Sequence, residues 1–83
     1  MQPAVKLYTL STCGACRATR SLLSELEVTY EFTDVDLLKG EEQDEVVETI
    51  KAVNPRCAFP TVIIGDTVIV GFRETEIRKA LGL

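Results

Sequence analysis

Two cysteines, Cys13 and Cys16, stand two residues apart in the stretch LSTCGACRATR. A C-x-x-C pair supports two main chemistries: cycling between dithiol and disulfide, or holding a metal through its thiolates. The chain has three cysteines and no histidine, so a closed four-ligand zinc site from one chain would need a carboxylate as well. Thiol–disulfide exchange needs only what the motif supplies. One accessible thiolate attacks a disulfide, and a second, sheltered thiol releases the product. Cys13 is the expected nucleophile and Cys16 the expected resolving thiol.

Such a pair works only if neighbouring elements hold it. Residues 4–10 alternate Val5, Leu7 and Thr9 against Lys6, Tyr8 and Leu10, the pattern of a mostly buried strand. From Ala15 to Glu27 the residues Ala15, Ala18, Leu22, Leu23 and Leu26 recur at helical spacing. Cys13 is therefore expected where a strand hands over to a helix. The unpaired N–H groups and positive dipole end at that point favour thiolate over thiol, and Arg17 and Arg20 add positive charge. Cys16 falls one turn further on. Helix neighbours at that spacing lie about 5–6 Å apart at Cβ, whereas a disulfide wants about 3.5–4.5 Å, so a slight tightening of the first turn closes the bond.

The rest of the chain completes the frame. VTYEFTDV, residues 28–35, sets Val28, Tyr30 and Phe32 against Thr29, Glu31 and Thr33 and predicts a second strand. Strand, helix and strand within about 30 residues make a right-handed βαβ unit. A second helix is expected from Glu41 to Val53, with Val46, Val47, Ile50 and Val53 on its apolar side and Asn54-Pro55 as its stop. PTVIIGDTVIV reads as a hairpin about Gly65-Asp66 with a primed turn. A last helix, Glu74 to Leu81, turns Ile77, Ala80 and Leu81 inward. The predicted order is β-α-β-α-β-β-α: an α/β sandwich on a four-stranded mixed sheet.

Composition narrows the function. With 83 residues the chain is expected to be one domain, 1–83, with a thin core. Thirteen acidic against nine basic residues give a net charge of −4. That balance, without a Lys/Arg cluster, disfavours a nucleic-acid binder. The acidic run KGEEQDEVVE, Lys39 to Glu48, reads as a solvated helix face. No apolar run approaches the roughly 20 residues a membrane span needs, and MQPAVKLYTL lacks the features of a signal peptide. A cytoplasmic location is the expectation, and the odd cysteine count suits it better than a secreted disulfide scaffold.

The stretches YTLSTCGAC (Tyr8–Cys16), FPTVIIGD (Phe59–Asp66) and VGFRETEI (Val70–Ile77), in this order and at this chain length, resemble the glutaredoxin branch of the thioredoxin superfamily. The resemblance spans essentially the whole chain and implies a thioredoxin-like fold. It implies that Pro60, which alone reads as an ordinary strand-initiating proline, is a cis proline facing the thiols. It implies a substrate groove shaped by Thr12, Phe59, Pro60, Thr61, Gly71 and Phe72, in which an extended segment pairs with the Phe59 backbone as an added strand. From the residues alone Phe72 is equally a core aromatic.

Three departures from the family pattern bear on the electron donor and on a cluster-binding alternative. Arg73 and Glu74 follow Gly71-Phe72, where glutathione-using glutaredoxins usually carry Gly-Gly and Asp. Leu10 occupies a position where many relatives carry a lysine, and Gly14-Ala15 replaces the commoner Pro-Tyr pair. The wording GFR looks more like the hydrogen-donor redoxins of ribonucleotide reductase. The expected partners are disulfide-containing proteins, with a thioredoxin-reductase-type enzyme or glutathione as donor. No tightly bound cofactor is expected, glutathione is a possible co-substrate, and the protein is expected to be a monomer. The alternative is a glutaredoxin that dimerises around a [2Fe–2S] cluster through Cys13 of each chain and two glutathiones. Cys57, three residues before Pro60, is expected to be a loop bystander, with a third redox thiol as the other reading.

Overall fold

The computed structural model describes residues 3–83. Met1 and Gln2, which the sequence reading placed inside the domain, lie outside the described residues. The elements run β1 (Val5–Thr9), α1 (Gly14–Glu25), β2 (Glu31–Asp34), a short 3-10 turn (Val35–Leu37), α2 (Gly40–Val53), β3 (Thr61–Ile64), β4 (Thr67–Val70) and α3 (Glu74–Ala80). The four strands lie in the order β2-β1-β3-β4. β1 and β2 pair in parallel, and the β1–β3 and β3–β4 pairs are antiparallel, so the sheet is mixed as expected.

Register decides which side chains meet. Leu7 opposes Val62, Val62 opposes Ile69, and Val5 opposes Ile64. Directly opposed residues share a face of the sheet. These five form one buried cluster with Leu22 and Leu23 of α1 and Ile77 of α3. Full burial of a side chain such as Leu23 contributes about 1.5–3 kcal/mol. Ile50 of α2 is also fully buried, outside that cluster. The acidic side of α2 faces solvent as read, and Gln43 turns back to donate to the Val35 and Leu38 carbonyls at 3.0 and 3.1 Å.

Several boundaries differ from the sequence expectation. β2 starts at Glu31; Val28 and Tyr30 precede it and still pack on the core. Phe32, expected inward, is 44% exposed. Ala15 and Val53 are exposed too, so the buried stripe of α1 is Cys16, Thr19, Leu22 and Leu23. α1 ends at Glu25, two residues early, because Glu27 adopts φ +57. There Glu27 N–H donates to Ser24 O and Val28 N–H to Leu23 O, which is a Schellman close. Glycine normally fills that position, as Gly82 does beyond α3 at φ +81. In the hairpin only Gly65 (φ +58), not Asp66, has positive φ, the pattern of a type II′ turn.

Candidate active site

Cys13 is the N-cap of α1. Its backbone is extended (φ −92, ψ 119), and its Sγ accepts the Cys16 N–H at 3.2 Å. A cap side chain normally uses oxygen for this task; here sulfur does it, in the field of the helix N-terminus. Cys13 is half-buried, while Cys16 is 1% exposed. Burial pushes the Cys16 thiol up to about 11; the hydrogen bond with Cys13, the Cys13 charge and the Asp34 charge add to this, and a hydrogen bond with the Leu10 backbone works the other way. The pair therefore has one partly accessible sulfur and one sheltered, protonated thiol.

The strand ends deliver this corner. Thr9 of β1 lies level with Asp34 of β2. The β1–β3 pairing of Tyr8 with Thr61 sets Pro60 level with Thr9 on the other side. Gly71 N–H donates to Pro60 O at 2.9 Å, extending the row to the end of β4. Asp34, Thr9, Pro60 and Gly71 thus cross the sheet in one line, and Cys13 lies four residues beyond Thr9. The intervening loop is tied twice. Ser11 gives its N–H (2.8 Å) and its hydroxyl to the two carboxylate oxygens of Asp36, which holds Asp36 below its usual range. Thr9, fully buried, donates its hydroxyl to Asp34 and to the Thr33 carbonyl. None of these polar ties was read from the sequence, because their partners lie 24 or 25 residues apart.

On the β3 side the peptide bond from Phe59 to Pro60 is cis, as the resemblance implied. Pro60 is buried and Phe59 half-buried. Asn54, at the end of α2, donates to the Ala58 carbonyl and to the Thr61 hydroxyl, both at 3.2 Å, and Thr61 donates to Ala58 O at 2.7 Å. Thr61, expected to line a substrate groove, is fully buried with its hydroxyl committed to that network. Gly71 adopts φ +88, open to glycine without strain, and Phe72 is 42% exposed, which removes it from the core. Thr12 is exposed beside Cys13. Cys57 is half-buried at φ +50, its N–H bound to Asn54 O at 2.8 Å.

On the β2 side Arg17 and Arg20 part company. Arg17 is exposed, whereas the Arg20 guanidinium lies 3.9 Å from the Phe32 ring centroid. Phe32 pairs with the core residue Leu7 and so keeps that face of the sheet, but β2 is an edge strand, and there its ring meets the Arg20 cation of α1. Arg73, one of the departures at the groove, donates to Val70 O at 3.0 Å and lies 3.6 Å from Glu76. Among the described residues no three acidic or cysteine side chains converge as a metal site, and no helix is long and apolar enough to cross a membrane.

The same fold recurs in known proteins. The crystal structure of methanoredoxin from Methanosarcina acetivorans matches with a TM-score of 0.92 and 43% identity, over 98% of this chain and 86% of that one. The glutaredoxin from Methanosarcina mazei Go1 matches with a TM-score of 0.90 and 46% identity, over 98% and 80%. The glutaredoxin-like protein NrdH of Lactococcus lactis is 31% identical over 90% of this chain and 96% of its own. Residues 5–69, from the first strand through the thiols and into β4, match the family model described as Glutaredoxin. With that model covering most of its length, the chain belongs to the glutaredoxin family.

Proposed function

We propose that this protein is a dithiol–disulfide oxidoreductase acting through Cys13 and Cys16. The observation that carries the reading is the 3.2 Å contact from Cys16 N–H to Cys13 Sγ, made by a cysteine that is itself buried. The Cys13 thiolate attacks one sulfur of a substrate disulfide. An S–S bond forms to Cys13, the substrate S–S bond breaks, and the departing thiolate takes up a proton. Cys16 then loses its proton and attacks Cys13 Sγ, releasing the second substrate thiol and leaving a Cys13–Cys16 disulfide. Two electrons have passed to the substrate.

Step order follows from the local electrostatics. In the dithiol state the hydrogen bond and charge of Cys13 help to keep Cys16 protonated. A mixed disulfide removes that charge, so Cys16 ionises more readily once there is a bond for it to attack. Phe59, Pro60, Gly71 and Phe72, with Thr12 at the rim, form the substrate groove in this reading; Phe59 offers backbone for pairing and Gly71 admits a close main chain. The substrates are disulfide-bearing proteins. The donor that reopens the internal disulfide is a thioredoxin-reductase-type enzyme, since Leu10 offers glutathione's carboxylate no cation and Arg73-Glu74 replaces the Asp that glutathione-using relatives usually carry.

The test supplies NADPH with thioredoxin reductase in one assay, and NADPH with glutathione and glutathione reductase in the other. Turnover in the first alone is expected; turnover in the second alone would overturn the donor assignment. Cys13→Ser is expected to abolish turnover and Cys16→Ser to accumulate mixed disulfides by mass spectrometry. Normal turnover in Cys13→Ser would overturn the reading itself.

A further inference from the structure

Arg17, Arg20, Ser21 and Ser24 stand at i, i+3, i+4 and i+7 on α1 and so form one stripe. Counting back four residues from Arg17 reaches Cys13, so the stripe begins at the reacting sulfur. Beside it runs an open cleft of about 610 Å³, lined by these four residues with Tyr30 and Glu25. Neither arginine is neutralised internally: the ion pairs among the described residues are Arg73–Glu76 and Arg78–Glu74, at the other end of the chain.

Arg20 is held in place. Its guanidinium stacks on Phe32, and Arg20 lines the cleft beside Tyr30 and Ser24. Its Nε is buried with no hydrogen-bond partner. That atom is closed to solvent, so a carboxylate in the cleft would meet the terminal N–H groups of the guanidinium, whose fixed plane suits the carboxylate fork. The field in the cleft is positive: burial pushes the Tyr30 phenol up, yet its hydrogen bonds with Ser24 and Arg20 and the Arg20 charge outweigh burial, and the net direction is down.

We propose that this cleft receives the carboxylate of an acidic residue in the substrate protein, two or three residues from the cysteine under attack. The distances agree. Arg17 and Arg20 lie four and seven residues along the helix from Cys13, about 6 and 10 Å of axial rise. Two or three residues of extended chain span about 7–10 Å. The inference rests on the reductase reading above and adds a specificity to it. Glu25 at the cleft opposes the incoming charge and limits the preference.

The test uses peptide disulfides carrying Glu or Gln two or three residues to either side of the reacting cysteine. The readout is the ratio of kcat/KM for the Glu and Gln forms; because it is taken within one variant, changes in Cys13 reactivity cancel. In the natural sequence one placement is expected to favour Glu by about three- to tenfold at low salt, with the preference shrinking as salt screens the pair. Arg17→Gln and Arg20→Gln each move the ratio towards one, and Glu25→Gln raises it. A ratio near one at every placement, or one that both arginine variants leave unchanged, overturns the inference and leaves the reductase reading standing. Failure to turn over either peptide overturns both.

Discussion

On the β3 side of Cys13 the chain is fixed from below, by a buried Asn54–Thr61–Ala58 network, and in the proposed groove it would offer substrate mainly backbone at Phe59 and Gly71. On the β2 side the wall is made of side chains standing on the surface, with Arg20 stacked on a Phe32 that is 44% exposed. Position on the first side depends on satisfied buried polar groups, whose loss is expensive. Position on the second depends on exposed contacts, each worth little to the fold. A backbone wall tolerates many substrates, whereas a charged side-chain wall can choose among them. The inner side can therefore serve the chemistry common to all disulfides, and the outer side can vary without endangering the fold.

The contrast can be broken at its strongest point first. Asn54→Ala removes two donors from the buried network and is expected to cost about 1–3 kcal/mol in denaturant unfolding, with reductase activity falling as the Phe59–Pro60 segment loosens. A loss within a few tenths of a kcal/mol would mean that this wall is not held from beneath. Gly71→Ala comes next. A Cβ there meets nothing within 4 Å, so the expected loss of about 1–2 kcal/mol comes from the positive φ alone. Its effect on KM should exceed that of any change on the β2 side, as measured against a neutral disulfide peptide. The smallest effect is expected from Phe32→Leu, about 0.5–1 kcal/mol, since the pair it breaks is exposed. A larger loss would show that the outer wall also carries the fold.

Much of this was legible because it is written in local spacing. The strand-to-helix junction, the paired thiols, the hairpin at Gly65-Asp66 and the inward Ile77 follow from periods of two and 3.6 and from turn residues. What was hidden depends on residues far apart in sequence. Nothing in the sequence singles out Asp34 or Asp36; only the parallel register brings them to Thr9 and Ser11. Phe32 obeys the alternation of its strand, but only the structure shows that this strand is the sheet edge and that Arg20 of another element lies over the ring. The ends of α1 and α3 make the same point. Both close in a Schellman motif, and Gly82 announces one while Glu27 announces nothing. Pro60 was legible only through family resemblance.

If Cys13 is the nucleophile proposed above, its cap ties the chemistry to the mechanics of α1. In the dithiol state the sulfur that reacts also fastens the helix tip, by accepting the Cys16 N–H. Engaging that sulfur in a covalent bond makes it a poorer acceptor, so the tip is unfastened at the moment Cys16 has to close on Cys13. Oxygen caps at such positions are worth about 0.5–2 kcal/mol, and even part of that sum is a useful bias for a movement of about 1–2 Å at Cβ. The electron-rich form of the protein is therefore the one with the clasped helix, and the redox state can be followed as the firmness of a single turn.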